Sequence, residues 1–337
     1  MWIDERGDLI QNNLLEIKNL TTAFLFDGKP VPVIFDVSYT LKKREVLGIV
    51  GESGSGKSVT AKTVMRLLPS PPSKVLSGEV WLDGQNILEK TEKEMCRIRG
   101  SQVSMIFQEP MTSLNPVFTC GDQIVEAIRY HQKMSRKEAW AWATEMLGLV
   151  GIPQPETRIN SYPHELSGGM RQRVMIAIAL CCNPKLLIAD EPTTALDPTI
   201  QAQILELLKE IRQKIDMSVM YITHDLSVVA ELCDRVVVMY AGMVQEIAEI
   251  HDLFHRPLHP YTRGLMEAMP RLGVKRRRLY NIPGMVPHIT QMPIGCHFAP
   301  RCPYATGQCQ VACPELCDAG QGHMVRCFRY KDMEGDA

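Results

Sequence analysis

No apolar run in this chain approaches the roughly 20 residues that a membrane-crossing helix needs, so nothing in the sequence reads as an integral membrane span. A charge excess is missing too. Lys plus Arg number 37 against 38 Asp plus Glu, a net charge of −1, which speaks against a strongly basic nucleic-acid binder. No internal repeat is present, which excludes a solenoid or propeller. The first residues, Met-Trp-Ile-Asp-Glu-Arg-Gly-Asp, are polar and acidic and lack the apolar core of a secretory leader, so a cytosolic chain is expected. What is there is ordinary in bulk: 337 residues, 45% apolar and 22% charged, enough for one large domain plus a smaller one. The eleven cysteines are the exception, because six of them crowd between Cys296 and Cys327. In a reducing cytosol such a cluster points to metal rather than disulfides.

Residues 51–58 read Gly-Glu-Ser-Gly-Ser-Gly-Lys-Ser and fit G-x-x-x-x-G-K-[ST], the phosphate-binding P-loop. Gly51, Gly54 and Gly56 let the backbone turn tightly, so that N–H groups around Ser53 and on to Val59 meet phosphate oxygens. Lys57 is placed to reach the β- and γ-phosphates, and the Ser58 hydroxyl to meet Mg²⁺. The context agrees: an apolar strand over 45–50 precedes the loop and a helix over 58–68 follows it, ending before Pro69. A flexible glycine turn beside a chance Lys-Ser would not carry that strand and helix.

Upstream, residues 14–20 and 33–41 alternate as strands around a polar turn at 27–29. Phe24 falls there, and stacking on a base and core packing are both open to it. Downstream come strands over 79–82 and 103–107, the latter ending at Gln108, and then a helical block over 117–182. Its last helix opens on Ser167-Gly168-Gly169, where a cap and two glycines leave N–H groups free for an anion, or simply let a buried helix begin. Residues 185–189 form an apolar strand that delivers Asp190 and Glu191 at its C-terminal end, where α/β ligand sites form. Asp190 suits Mg²⁺ and Glu191 suits activating a water. A strand over 218–222 ends at His224, which the topology should bring to the same end. Past residue 250 the chain turns proline-rich, with a short helix, a basic run at 275–278 and the cysteine segment. Residues 288–327 hold few large apolar side chains, so a bound metal is expected to supply their folding energy.

In order and in kind, Lys57, Gln108, the Leu166–Met170 segment, Asp190-Glu191, Asp197 and His224 resemble the motifs of ATP-binding cassette (ABC) ATPases over residues 14–250. That resemblance implies an α/β fold: a P-loop RecA-like core with an antiparallel β subdomain and a helical subdomain. It implies that Gln108 touches Mg²⁺ and the attacking water, and that Ser167, Gly168 and Gly169 close on ATP held by an opposing subunit. Asp190 is implied as the metal aspartate, Glu191 as the catalytic glutamate, His224 as the switch histidine and Phe24 as the adenine-stacking aromatic.

A narrower resemblance lies in the tail. His259-Pro260-Tyr261-Thr262, Ile282-Pro283-Gly284 and Arg301-Cys302-Pro303-Tyr304-Ala305 are similar to the C-terminal extension of dipeptide and oligopeptide importer ATPases. The chain is thus expected to divide into a loose stretch 1–13, a cassette over 14–250 and an irregular, cysteine-rich extension over 251–337. The resemblance implies ATP, Mg²⁺ and a 4Fe-4S cluster on Cys296, Cys302, Cys309 and Cys327. Zinc stays open beside it, because Cys309, Cys313 and Cys317 have short zinc-like spacing. The implied partners are a second, homologous ATPase subunit, two transmembrane permeases and, through them, an extracytoplasmic substrate-binding protein, with no nucleic acid. The implied place is the cytoplasmic face of the inner membrane. The alternatives are a related nickel or metal importer and a non-transport cassette ATPase. A DNA-repair cassette protein would carry a long coiled coil between the motifs, and a translation factor would carry two motif sets.

Overall fold

The computed structural model describes residues 12–108, 113–194, 196–269 and 280–333. Residues 1–11 of the stretch expected to be loose and the basic run at 275–278 lie outside that set, as do residues 109–112 and 195. The end of the stretch expected to be loose is tied down, since Asn13 opens the first strand.

Two sheets build the core. The smaller is antiparallel, in the order β2-β1-β4-β5, from β1 (Asn13–Phe26), β2 (Lys29–Lys42), β4 (Ser73–Leu82) and β5 (Gln85–Asn86). Asp27 and Gly28 both take positive φ between β1 and β2, the two-residue turn whose twist matches a hairpin. The larger sheet holds five parallel strands in the order β9-β3-β8-β7-β6. These are β3 (Val46–Val50), β6 (Val103–Ile106), β7 (Leu186–Asp190), β8 (Ser218–Thr223) and β9 (Arg235–Tyr240). Every residue of β3, β6, β7 and β8 is buried, as continuous apolar runs require of parallel strands covered on both faces. Their side chains alternate between two cores. Val46 and Val50 face one, with the helices; Leu47 and Ile49 face the other, under the antiparallel sheet.

Helix α1 (Lys57–Val64) leaves the glycine loop and packs beneath the antiparallel sheet. It is shorter than the sequence predicts, because Arg66 takes positive φ just after Met65. Helix α2 (Glu92–Ile98) escaped the sequence reading, although Thr91 and Glu94 form a full capping box at its start. The helical block expected over 117–182 holds α3 (Cys120–His131), α4 (Arg136–Leu149) and α5 (Gly168–Leu180), packed on one another. The amphipathic α6 (Pro198–Lys214) and the short α7 (Leu226–Leu232) cover the same face of the main sheet.

The tail departs from expectation. It is not irregular throughout, although residues 288–327 bury few large apolar side chains, as expected. Strand β10 (Met243–Glu249) returns antiparallel on β9, and the two-residue strands β12 (Met324–Val325) and β11 (Cys317–Asp318) then continue the main sheet beyond it. Helices α8 (Ile250–His255) and α9 (Pro260–Ala268) lie between. Phe298 and Val325 are fully buried. So is Glu246 on β10, whose carboxylate accepts from Leu258 N (2.7 Å), His259 N (2.9 Å) and His323 Nε2 (2.7 Å). A buried carboxylate is tolerable only with such donors. Burial also lowers the His259 pKa to about 4, and the neutral ring accepts from Tyr261 N to cap α9. The few apolar residues of 288–327 missed this anchoring because its anchors are polar groups satisfied inside the fold.

Candidate active site

The glycine loop sits between β3 and α1, pressed against the rest of the core. A Cβ on Gly51 (φ +154) would stand 2.1 Å from the Met239 carbonyl oxygen, and one on Gly56 (φ +96) 2.7 Å from Ile34. Side chains at these two positions would push the loop off β9 and β2. The loop forms one wall of a cavity of about 620 Å³, lined by residues 50–59 together with Gln108, Glu191, His224, Leu226 and Leu265. Ser53, Gly54 and Val59 are thus on its wall, as the motif predicts.

The Lys57 ammonium is buried in the loop's own carbonyls, donating to Gly51 O (2.7 Å) and Glu52 O (3.1 Å). Burial lowers its pKa, while Glu191, Asp190 and Glu52 pull the other way. The Ser58 hydroxyl donates to Asp190 Oδ1 at 2.8 Å, joining the loop to the end of β7. Burial in turn raises the Asp190 pKa against that hydrogen bond. Next to it Glu191 holds positive φ, fixed by its N–H on Ile222 O. Three side chains from separate parts of the chain converge on its carboxylate. Gln108 Nε2 donates at 3.2 Å, Thr194 Oγ1 donates at 2.9 Å, and His224 Nδ1 lies at 3.4 Å. A carboxylate held this way at the mouth of a phosphate cradle can orient a water and take its proton.

Other expected site residues lie apart from the cavity. Ser167 accepts from Met170 N to cap α5, and a Cβ on Gly169 would stand 2.9 Å from Ile200 on α6. Nothing lies within 4 Å of a Cβ on Gly168, so this helix start is open on one side. Phe24 is half-buried on β1, opposite Val31 and Ser73, and does not line the cavity. Asp197 caps α6 through Thr199 N and Ile200 N.

Among the described residues no group of three or more His, Cys, Asp or Glu converges on the place of a single metal ion. The zinc set also diverges. Cys313 Sγ turns to Met243 Sδ (3.8 Å) and Cys317 Sγ donates to Val325 O (3.3 Å). The cysteines of the tail are near enough to feel one another's charge: Cys296 senses Cys313 and Cys309, Cys302 senses Cys296 and Cys309, and Cys327 senses Cys302 and Cys309. Burial raises the pKa of Cys296, Cys302 and Cys327 to about 11.

Sequence reasoning missed Thr194, and it missed two tail residues that reach the loop. Tyr261 OH accepts from Glu52 N (2.9 Å), and the Arg301 guanidinium pairs with Glu52 Oε2 (2.9 Å). Both stand in tail motifs that were noted above without a role.

A P-loop on a parallel sheet, flanked by an antiparallel sheet and a helical arm, is the architecture of an ATP-binding cassette, and the comparisons sharpen this. Residues 34–194 match the family described as ABC transporter, and residues 245–309 that described as oligopeptide/dipeptide transporter, C-terminal region. The chain is 52% identical over 321 residues to the oligopeptide transport ATP-binding protein AppD of Bacillus subtilis (strain 168), covering 95% of this chain and 98% of that one. It is 50% identical over 315 residues to the dipeptide transport ATP-binding protein DppD of the same organism, covering 94% of each. A solved dimeric structure of the ATP-binding cassette MJ0796, in a post-hydrolysis state bound to ADP and Pi, superposes with a TM-score of 0.63 at 28% identity, covering 70% of this chain and 98% of that one. The chain belongs to the ATP-binding proteins of peptide ABC transporters. Among the described residues no helix is long and apolar enough to cross a membrane.

Proposed function

We propose that this chain is the ATP-hydrolysing subunit that powers dipeptide or oligopeptide uptake through a membrane importer. The observation that carries the reading is the convergence of Gln108, Thr194 and His224 on Glu191 beside the glycine loop. In this reading the N–H groups of residues 51–58 and the Lys57 ammonium hold the triphosphate. Ser58, Asp190 and Gln108 bring the oxygen donors that suit Mg²⁺, and the Ser58–Asp190 hydrogen bond already gathers two of them. Bound there, Mg²⁺ supplies positive charge to the β- and γ-phosphates. Glu191 takes the proton of the attacking water, and His224 and Gln108 orient its carboxylate. Phe24 is assigned to the adenine.

Ser167, Gly168 and Gly169 lie off this cavity and open outward, which suits donation to ATP on a second cassette. The dimer of the cassette MJ0796 supports such a pairing. We assign that second cassette to a homologous, non-identical chain, and we assign two permeases and a substrate-binding protein to the assembly, at the cytoplasmic face of the membrane. The cassette over 14–250 and the extension over 251–337 are divisions of role rather than of packing, since the tail strands complete the main sheet. The test is uptake in a deletion strain carrying this gene. Labelled di- or oligopeptide uptake is expected to return, while uptake that returned for nickel alone would replace the peptide reading.

Cys296, Cys302, Cys309 and Cys327 are assigned to a 4Fe-4S cluster. The reading rests on the likeness of the tail to the oligopeptide/dipeptide transporter C-terminal region and on four thiols, the ligand type such a cluster takes. Cys296, Cys302, Cys309 and Cys327 would hold the group and so tie their stretches of the tail together; the cysteines themselves do no chemistry on ATP. Anaerobically purified protein is expected to be brown, to absorb near ~400 nm and to hold about four iron atoms per chain. Cys302→Ser is expected to bleach it and leave the glycine loop able to bind ATP. A colourless protein holding zinc and no iron would reverse the assignment.

A further inference from the structure

Glu52 is the unexpected residue of the glycine loop. It lines the nucleotide cavity and places a carboxylate beside the phosphate cradle, where it would repel a triphosphate. Its charge is felt at Lys57, whose ammonium donates to the Glu52 carbonyl. The structure does not leave this carboxylate alone. Arg301, 5% exposed at its side chain, pairs with Oε2 at 2.9 Å. Arg301 is itself fixed from several sides. It donates to Pro283 O (2.9 Å), Ile282 O (3.1 Å) and the Tyr240 hydroxyl (3.3 Å), and its guanidinium lies over the Tyr240 ring. The backbone of the same loop residue is held too, because Glu52 N donates to the Tyr261 hydroxyl on α9. Side chain and backbone of one P-loop residue are thus both gripped by the C-terminal extension, which also lines the cavity with Leu265.

We infer that Arg301 is a positioning residue for ATP: it neutralises Glu52 and sets the glycine loop in its phosphate-binding shape, making nucleotide affinity depend on the C-terminal extension. The inference rests on the ATPase reading of the cavity. The two parts of the role are separable. Neutralisation acts through the Glu52 charge, so removing that charge should make Arg301 dispensable for affinity. A purely structural role, in which Arg301 only holds 282–283 against Tyr240, would be indifferent to Glu52.

The experiment is a double-mutant cycle in the full-length chain, reading MgATP affinity by titration calorimetry. Arg301→Gln is expected to weaken MgATP binding about tenfold, the size of one unscreened like-charge contact. Arg301→Lys should recover most of that loss. Glu52→Gln alone removes the like charge beside the triphosphate and should tighten MgATP binding, by up to about threefold, and Glu52→Gln with Arg301→Gln should return to within about threefold of the wild type. In the assembled transporter Arg301→Gln should raise KM for ATP and leave kcat nearly unchanged, a split that general unfolding would not produce. The inference is overturned if Arg301→Gln leaves affinity intact, or if the loss persists unchanged in the double variant. Wild-type protein that bound no MgATP would instead remove the ATPase reading on which the inference rests.

Discussion

Glu191→Gln is expected to bind MgATP as the wild type does and to turn it over about 10²–10⁴-fold more slowly, the usual cost of losing a general base. Gln is nearly isosteric, so it still fits between Gln108 Nε2 (3.2 Å), Thr194 Oγ1 (2.9 Å) and His224 Nδ1 (3.4 Å). The amide can hold a water and cannot take its proton. With hydrolysis blocked and binding kept, the variant should accumulate a closed assembly with its partner cassette in ATP. Phosphate release from the reconstituted transporter and size-exclusion chromatography with ATP read the two effects. Turnover near the wild-type rate would remove Glu191 from the chemistry, whatever its place in the cavity.

Lys57→Ala should lose binding itself, with a fall in MgATP affinity of at least about 100-fold. That figure corresponds to losing charge-assisted hydrogen bonds of about 1.5–3 kcal/mol each. Lys57 is a buried cation of the cradle, and its ammonium is held by the Gly51 and Glu52 carbonyls of the loop itself. Burial lowers its pKa, but three carboxylates, Glu191, Asp190 and Glu52, oppose that shift and favour the charged form the site needs. Filter binding reads the affinity, and a thermal melt guards against unfolding, because Ala leaves two loop carbonyls without their donor. Undiminished affinity in a folded variant would show that the backbone amides alone carry the phosphates.

Much of the cassette was legible because its signals are local. Asp27-Gly28 marks a hairpin, the wholly apolar stretches over 46–50 and 186–189 mark buried parallel strands, and the spacing of Gly51, Gly54 and Gly56 before Lys57 marks the cradle. That His224 comes to the end of β7 also followed from topology, since parallel strands joined by helices deliver their C-terminal ends to one edge. What escaped was non-local or lacked periodicity. Helix α2 is only Glu92–Ile98, too short to show an apolar stripe. Thr194 lies three residues past Glu191 in a turn, with nothing to set it apart from Thr193. Arg301 and Glu52 are 249 residues apart, and no local pattern announces a contact at that range. The tail reads as irregular because apolar content is the measure, while it is anchored through polar groups, His323 and Arg326 within it and Glu246 on β10, all buried.

The knot at Glu246 has a consequence for how the protein is made. Its carboxylate is synthesised with β10, but its donors arrive later: the amides of Leu258 and His259 soon after, and the His323 imidazole 77 residues on. At about 5–20 residues per second the last donor follows by about 4–15 s. Until then β10 is the outer strand of the sheet, paired only with β9, and carries a charge with one of its three partners missing. Because a carboxylate short of one donor resists burial, β10 is expected to seat fully only once His323 has been made. The segment around His323 therefore closes the outer side of the nucleotide-binding sheet, and without His323 the Glu246 carboxylate is left one donor short.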